Sequence, residues 1–226
     1  MIPVIIIGFN NFTYIKMMVE QLLKYNLKDI TIIDNCSTLP ILLHYYENNK
    51  NFKVLKLNKN YGPRVLFHED LKVFYNMLPN FFILTDPDIK FNENLPEDFV
   101  DTLISITEKH KIGKAGFAID ISSSEKFKHL FFYKRYKKIS IRAWEHKYWT
   151  DKREDDLYRA DIATTFAVYN KKYLDFSIER HRLKAMRKAG NFLCKHMQWY
   201  LDDMLPYYEK KYYIANSYYI GWNFQK

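Results

Sequence analysis

Two carboxylates stand one residue apart at the end of an apolar run, within the stretch FFILTDPDI, and they are the first candidates for chemistry. Residues 81–84 have the composition of a strand that is buried on both faces. Asp86 and Asp88 follow it, and the proline between them ends the strand. Two acidic ligands at this spacing can hold one hard divalent cation and leave room for phosphate oxygens. An ordinary turn is the alternative, because Asp and Pro are common turn residues.

The composition indicates a single domain with a basic surface. The chain has 226 residues, and 48% of them are hydrophobic, which is enough for a sizeable core. There are 35 Lys and Arg residues against 26 Asp and Glu, which gives a net charge of +9. Such a surface suits an anionic ligand, an anionic membrane surface or nucleic acid.

Several classes of protein are disfavoured by what the sequence lacks. Cys36 and Cys194 form neither a disulfide framework nor a zinc-binding spacing. The six glycines cannot be arranged as a dinucleotide-binding fingerprint or a Walker A loop, so any phosphate must be held by metal and side chains. The sequence shows neither a signal peptide nor an apolar run of membrane-spanning length, and we expect a cytoplasmic protein.

Strand and helix patterns alternate along the first part of the chain. The predicted strands are 4–7, 30–33, 52–57 and 81–84, and the predicted helices start near 11 or 13, at 39 and at 64. This alternation predicts an α/β fold with a mainly parallel central sheet flanked by helices. Ligands of such sheets bind beyond the carboxyl ends of the strands. The polar segments that follow the strands, and that should share this edge, are 9–11, 34–37, 60–64 and 86–88.

The second part of the chain has a less regular pattern. The predicted elements are a helix over 97–109, strands over 114–119 and 162–169, and a basic helix over 178–189. Residues 122–156 show no clear period, and we interpret them as an active-site or acceptor loop. Residues 192–226 form an aromatic tail.

Four segments resemble nucleotide-sugar glycosyltransferases of the GT-A fold, in the family-2 style. VIIIGFNN is similar to the first strand and turn of that family, ITIIDNCST to the second strand, and LTDPDI to the D-x-D metal motif. AMRKAGNFLCKHMQWY resembles a C-terminal signature in which a His precedes a Trp-Tyr pair. The resemblance implies a Rossmann-like GT-A domain over 1–226 with a helical, aromatic C-terminal tail. Its nucleotide-sugar-binding half would be 1–119 and its acceptor-side half 120–226.

The resemblance also implies a metal site with Mn²⁺ or Mg²⁺ as cofactor. Asp88 takes the place of the direct metal ligand, and Asp86 is shared between the metal and ribose or sugar hydroxyls. His196 would supply a third ligand from the tail. The alternative for His196 is a hydrogen-bonded surface residue that packs beside Trp199.

Five further residues are predicted to bind the donor. By the resemblance, Asp34 accepts a hydrogen bond from uracil or ribose, and its alternative is a local turn made by its own side chain. Phe9 and Asn11 lie at the same predicted edge. Arg64 and Arg187 are candidates for the diphosphate, and the alternative for each is a solvated position on a helix.

An inverting transferase also needs a base that takes the proton of the acceptor hydroxyl. Asp161 is the first candidate, because it stands directly before an apolar strand where an acid has little structural reason to be. Asp155 and Asp156 are the next candidates. The Glu-Asp base motif of the family is not evident before the last predicted helices.

The predicted function is metal-dependent transfer of a sugar from a nucleoside-diphosphate sugar, with UDP as the expected nucleotide, to a hydroxyl of a glycan, lipid-linked or protein acceptor. The expected partners are this donor, a glycan or glycoconjugate acceptor and, through the basic surface, a membrane. One alternative is a sugar-phosphate nucleotidyltransferase, although the GFNN turn lacks the Gly-rich, basic character expected there. An inactive glycan-binding relative is another, and a nucleic-acid binder is disfavoured because it leaves Asp86 and Asp88 unexplained.

Overall fold

The computed structural model describes residues 1–128, 131–134, 137–162, 165–174 and 185–217, and for 131–134 and 137–138 it describes the backbone alone. Strands and helices alternate through the first half of the chain, as the sequence predicts. The strands are β1 (Val4–Gly8), β2 (Ile30–Asp34), β3 (Lys53–Lys56), β4 (Phe81–Thr85), β5 (Ile89–Lys90), β6 (Lys114–Ile119), β7 (Phe131–Lys134), β8 (Lys137–Ser140), β9 (Lys152–Glu154), β10 (Leu157–Arg159), β11 (Ala167–Asn170) and β12 (Ala185–His196). The helices are α1 (Phe12–Lys24), α2 (Pro40–Asn48), α3 (Lys72–Met77), α4 (Phe99–His110), α5 (Ile141–His146) and α6 (Tyr207–Asn216).

The strands form one main sheet in the order β3-β2-β1-β4-β11-β6-β12-β10-β9, and β5 pairs with the end of β12. Strands β1 to β4 are parallel, and β12 is parallel to β6. Strand β11 lies between β4 and β6 and is antiparallel to both. The carboxyl ends of β1, β2, β4, β6 and β12 therefore lie along one edge of the sheet. The prediction of an α/β fold with a mainly parallel sheet flanked by helices is confirmed.

The two faces of the sheet carry separate apolar cores, because successive side chains of a strand point to opposite faces. In β1, Val4 and Ile6 join the core that α1, α2 and α4 cover. Ile5 and Ile7 join the other core, which the 3₁₀ turn Val65–Phe67 and α3 cover. Since β1 is buried on both faces, it has no polar alternation in its sequence.

The structure corrects the predicted elements in three places. Residues 185–189 of the predicted basic helix belong to β12, while 178–184 lie outside the described residues. The predicted helix over 64–77 is instead two 3₁₀ turns followed by the short α3. The segment 122–156 holds the hairpin of β7 and β8, helix α5 and strand β9, so the absence of a period there reflects several short elements.

Hydrogen-bond pairing with neighbouring strands explains why residues 185–189 form a strand and not a helix. β12 has β6 on one side and β10 on the other, so its backbone hydrogen bonds are made between strands. Gly190 sits in the irregular part of this strand with a φ of +63°, a conformation that Gly adopts without strain. No helix in the described part of the chain is long and apolar enough to cross a membrane.

Candidate active site

Asp86, Asp88 and His196 meet at the carboxyl edge of the sheet. The two aspartates follow β4, and His196 is the last residue of β12. The pairing of β5 with β12 brings them together, since His196 pairs with Ile89 and the Met197 N–H donates to the Asp88 carbonyl at 2.8 Å. One potential ligand atom from each residue of the trio lies within 4.8 Å of the others.

The side chains of Asp88 and His196 approach each other closely within this trio. His196 Nδ1 lies 3.2 Å from Asp88 Oδ2, and both side chains are largely buried. His196 Nδ1 nevertheless makes no hydrogen bond within the described part of the chain, so the two atoms are close but not aligned. The imidazole is held in place by Trp199, whose ring stacks on it at 4.5 Å. Two carboxylates and a buried, unbonded imidazole nitrogen form a ligand set that fits one divalent cation.

Helix α6 lies beside this trio and is fastened to the start of α1. The Glu209 carboxylate accepts hydrogen bonds from the Thr13 N–H at 3.0 Å and the Thr13 hydroxyl at 2.6 Å. Such an anion is favourable at a helix N-terminus, where backbone N–H groups are otherwise unsatisfied. One turn further, Tyr213 packs edge-on against Phe9, with ring centroids 6.0 Å apart. Burial raises the pKa of Tyr213, and the negative charges of Asp88 and Asp86 add to this effect.

The turn after β2 is built around Asp34. Its carboxylate accepts hydrogen bonds from the Ser37 N–H at 3.1 Å and from the Tyr46 hydroxyl at 3.3 Å. Burial raises the pKa of the Asp34 carboxyl, and the hydrogen bonds from Ser37 partly offset this effect. The side chain thus makes the local turn contact that the sequence left as an alternative. It also lies at the predicted edge, directly opposite Gly8 of β1.

The turn after β1 is fixed by two asparagines. Asn11 caps α1, since its side chain accepts from the Tyr14 N–H at 3.3 Å. Asn10 adopts a φ of +45°, and its side-chain oxygen accepts from the N–H groups of Thr38 and Leu39. Its amide nitrogen is buried and has no hydrogen-bond partner among the described residues. Asn10 therefore offers an unused donor next to the Asp34 turn.

The two predicted diphosphate ligands have different surroundings. Arg64 is exposed on the loop before the first 3₁₀ turn. Burial raises the pKa of Tyr148, and the positive charge of Arg64 partly offsets this effect. Arg187 is buried in β12, where it forms an ion pair with Glu145 of α5 and donates to the Asp161 carbonyl at 2.7 Å. The Tyr148 ring covers the guanidinium at 4.1 Å. Arg187 is thus held on several sides by the protein itself.

The three candidate bases lie in two places. Asp161 is about half exposed, and its carboxylate lies 3.8 Å from the buried Lys114 ammonium. Asp155 and Asp156 lie in the turn between β9 and β10, where Asp155 is fully exposed. Asp156 packs against Gly190 of β12. Of the three candidates, Asp161 lies next to Arg187, because its backbone carbonyl accepts a hydrogen bond from the Arg187 side chain.

Several residues of this region were missed by the sequence interpretation. Asn10 stands beside the predicted Asn11, and its positive φ was the structural signal that a single sequence does not show. Glu145 lies in a segment with no clear period, and its buried pairing with Arg187 depends on a contact across 42 positions. Glu209 and Tyr213 lie in an aromatic tail where neither stands out by type or spacing.

The comparisons with known proteins rest on structure alone. No family model matches the chain, and a search of curated proteins found no matching sequence. HddC from Yersinia pseudotuberculosis, solved as a complex with GMP-PN, is similar over 93% of this chain and 97% of its own, with a TM-score of 0.50 and 12% identity.

Two structures of S. aureus TarS 1–349 are also similar. The complex with UDP-GlcNAc covers 57% of this chain, with a TM-score of 0.38 and 19% identity, and the other covers 75%, with a TM-score of 0.37 and 17% identity. The chain spans 39% and 47% of their lengths. The likeness to HddC extends over nearly the whole of both chains, and the fold is Rossmann-like α/β with a mostly parallel sheet flanked by helices.

Proposed function

We propose that this chain is a metal-dependent glycosyltransferase that takes its sugar from a nucleoside-diphosphate sugar. The observation that carries the proposal is the trio Asp86, Asp88 and His196, whose ligand atoms lie within 4.8 Å at the sheet edge that also carries Asp34. Ligands of α/β sheets bind at this edge. The glycines offer no phosphate-binding loop, so a diphosphate would be bound by a cation held by the trio together with side chains.

The ligand set favours Mn²⁺ over Mg²⁺. Mg²⁺ prefers oxygen ligands in near-ideal octahedral geometry, whereas an imidazole suits softer divalent ions better. Bound beside the two aspartates, the ion would neutralise the charge that develops on the departing diphosphate. The positions of Asp34, Phe9 and Asn11 support a role at the nucleoside end of the donor. Arg64, which is exposed at the same side of the sheet, is proposed to contact the diphosphate.

The transfer itself requires an acceptor hydroxyl to attack the anomeric carbon while the bond to the diphosphate breaks. We assign the hydroxyl proton to the carboxylate of Asp161, which is accessible and lies next to the cation of Lys114. Asp155 and Asp156 are less suited, because they belong to a turn between the last two strands of the sheet. Attack on the face opposite the leaving group would invert the anomeric configuration. The acceptor would be a hydroxyl of a glycan, a lipid-linked sugar or a protein.

A sugar-phosphate nucleotidyltransferase is the second candidate, and the likeness to HddC in fold favours it. The two reactions release different products. A glycosyltransferase releases a nucleoside diphosphate from a nucleotide sugar, while a nucleotidyltransferase releases pyrophosphate from a nucleoside triphosphate. Because HddC was solved with GMP-PN, guanine nucleotides belong in the assay beside uracil nucleotides.

The experiment measures thermal stabilisation of the chain by UDP and by GDP, each with and without MnCl₂, followed by nucleotide release from a panel of nucleotide sugars. We expect stabilisation by one nucleotide only when Mn²⁺ is present, and its loss in Asp88→Asn and His196→Gln. His110→Gln is a matched control, because His110 is similarly buried and lies 3.2 Å from Glu154, as His196 does from Asp88. A chain that responds to neither nucleotide contradicts the proposal. So does a chain that releases no nucleoside diphosphate from the nucleotide sugars but releases pyrophosphate when it is given a nucleoside triphosphate and a sugar phosphate.

A further inference from the structure

Exposed apolar side chains are concentrated in one short segment. Among the described residues, eight large apolar side chains are exposed, and four of them lie between positions 201 and 208. They are Leu201, Met204, Tyr207 and Tyr208, with exposed fractions of 64%, 49%, 72% and 52%. We refer to these four residues as the 201–208 surface. A cluster of this kind on a folded chain marks a surface that contacts something else.

The 201–208 surface is held rigidly, so its exposure is a property of the fold. Leu201 donates its N–H to the Lys126 carbonyl at 2.8 Å. Asp203, in the middle of the segment, forms a buried ion pair with Lys128. At the other end, Glu209 fastens α6 to α1. The apolar side chains are therefore presented outward by a backbone that is fixed on both sides.

The charges around this surface are arranged with lysines outward. Lys126 and Lys195 are exposed beside it, and the Lys211 ammonium lies 4.7 Å from the centre of the Tyr207 ring. Asp203 and Glu209 are turned inward to their partners.

Two acids, Glu125 and Asp202, remain exposed nearby. The three exposed lysines outnumber these two acids, and the chain as a whole has a net charge of +9. The surface is therefore complementary to a negatively charged partner.

We propose that the 201–208 surface binds anionic lipid bilayers. Tyrosines insert their rings at the level of lipid headgroups, and apolar Leu and Met side chains reach below it. Lysines at the rim add attraction to negatively charged headgroups, and the two effects together give reversible binding.

This inference does not depend on the proposed transferase activity, but it has a consequence for it. Helix α6 carries Tyr207 and Tyr208 on this surface, and about one and a half turns later its Tyr213 packs against Phe9, which follows β1 at the carboxyl edge of the sheet. Binding through α6 would hold the candidate active site close to the bilayer.

The test is co-sedimentation of the chain with phosphatidylcholine vesicles that contain or lack phosphatidylglycerol. We expect binding to the vesicles with phosphatidylglycerol, and weaker binding at high salt. Lys211→Gln should lower the partition coefficient about fivefold, as expected for one lysine near an anionic surface. Tyr207→Ser combined with Tyr208→Ser should lower it about tenfold or more.

The matched control combines Val73→Ser and Met77→Ser, because these side chains of α3 are as exposed as Tyr207 and belong to another part of the surface. The control should bind vesicles as the unaltered chain does, and all variants should keep its melting temperature. Three results overturn the proposal: absence of binding to anionic vesicles, equal loss in the control, or a dimer that the tyrosine changes dissociate while vesicle binding stays unchanged.

Discussion

Removing one partner of the buried ion pair between Arg187 and Glu145 is expected to destabilise the fold more than replacing both partners together. Both side chains are 3% exposed, and Arg187 has Tyr148 over its guanidinium. Replacing one partner of a buried pair leaves an uncompensated charge, which costs about 3–5 kcal/mol. In Glu145→Gln the amide oxygen still accepts one hydrogen bond from the guanidinium. We therefore expect a loss of about 3 kcal/mol, at the lower end of that range.

For a domain of this size, 1 kcal/mol corresponds to about 2–4 °C in melting temperature, so Glu145→Gln should melt about 6–12 °C lower. Arg187→Met should cost a similar amount, because it leaves Glu145 buried without a cation. The double variant, Glu145→Leu with Arg187→Met, removes both charges and should lie within about 2 kcal/mol of the unaltered chain. Urea unfolding followed by tryptophan fluorescence measures these differences, and thermal melts check them.

Lys109 and Glu154 supply the matched control, since their ammonium and carboxylate lie 2.7 Å apart on the surface. Lys109→Gln should cost less than about 1 kcal/mol, because solvent screens an exposed pair. If Glu145→Gln costs no more than Lys109→Gln, the reasoning from burial is refuted. Nucleotide binding by the stable double variant then decides the role of Arg187: retained affinity would exclude the predicted diphosphate contact.

Three further predictions concern the sheet edge and its supports. Glu209→Gln should lower stability by about 1–3 kcal/mol, because a charged acceptor at Thr13 is lost, and hydrogen exchange should become faster in α6. Asp34→Asn should reduce the fall in stability as the pH rises above 3.8, measured by urea unfolding at several pH values. Burial raises the folded pKa of Asp34, so the folded chain binds this proton more tightly and loses stability when the proton leaves. Gly116→Ala should cost about 2–4 kcal/mol in unfolding free energy, because its Cβ would lie 2.4 Å from the Phe166 carbonyl oxygen.

Each of these predictions has a result that contradicts it. For α6, unchanged exchange in Glu209→Gln would show that the helix is held by other contacts. For the pH dependence, parallel curves for Asp34→Asn and the unaltered chain would show that Asp34 titrates normally. For the close approach at Gly116, a variant as stable as the unaltered chain would mean that β6 and β11 can separate at little cost.

The sequence predicted the first half of the fold because the information there is local. Strands β1 and β4 contain continuous apolar runs, β2 is mostly apolar, and all three end in polar turns, while α1 has apolar residues at helical spacing. Alternation of such elements leaves a parallel sheet as the favoured arrangement, and the edge rule then places Asp34, Asp86 and Asp88 on one side. The sequence also raised the local turn of Asp34 as an alternative, and this turn is present in the structure.

The second half was harder to predict because its elements depend on distant partners. The basic stretch that includes 185–189 was predicted to be a helix, whereas pairing with β6 and β10 makes it a strand. Charged side chains along that stretch suggested a solvated face, but Arg187 is buried because Glu145 neutralises it from another element. The sequence around Arg187 identifies neither Glu145 nor the neighbouring strands β6 and β10 as its partners.

The candidate site illustrates the same division. The sequence by itself determined the types of ligand, since Asp86 and Asp88 sit one residue apart after an apolar strand. The resemblance implied His196 as a third ligand, and in the tertiary structure the antiparallel pairing of β5 with the end of β12 brings its imidazole to the two aspartates. Only the tertiary structure decided that Tyr213 packs against Phe9 at the turn after β1, through the contacts of α6. Side-chain chemistry is encoded locally, but distances between residues far apart in the chain depend on strand pairing and packing.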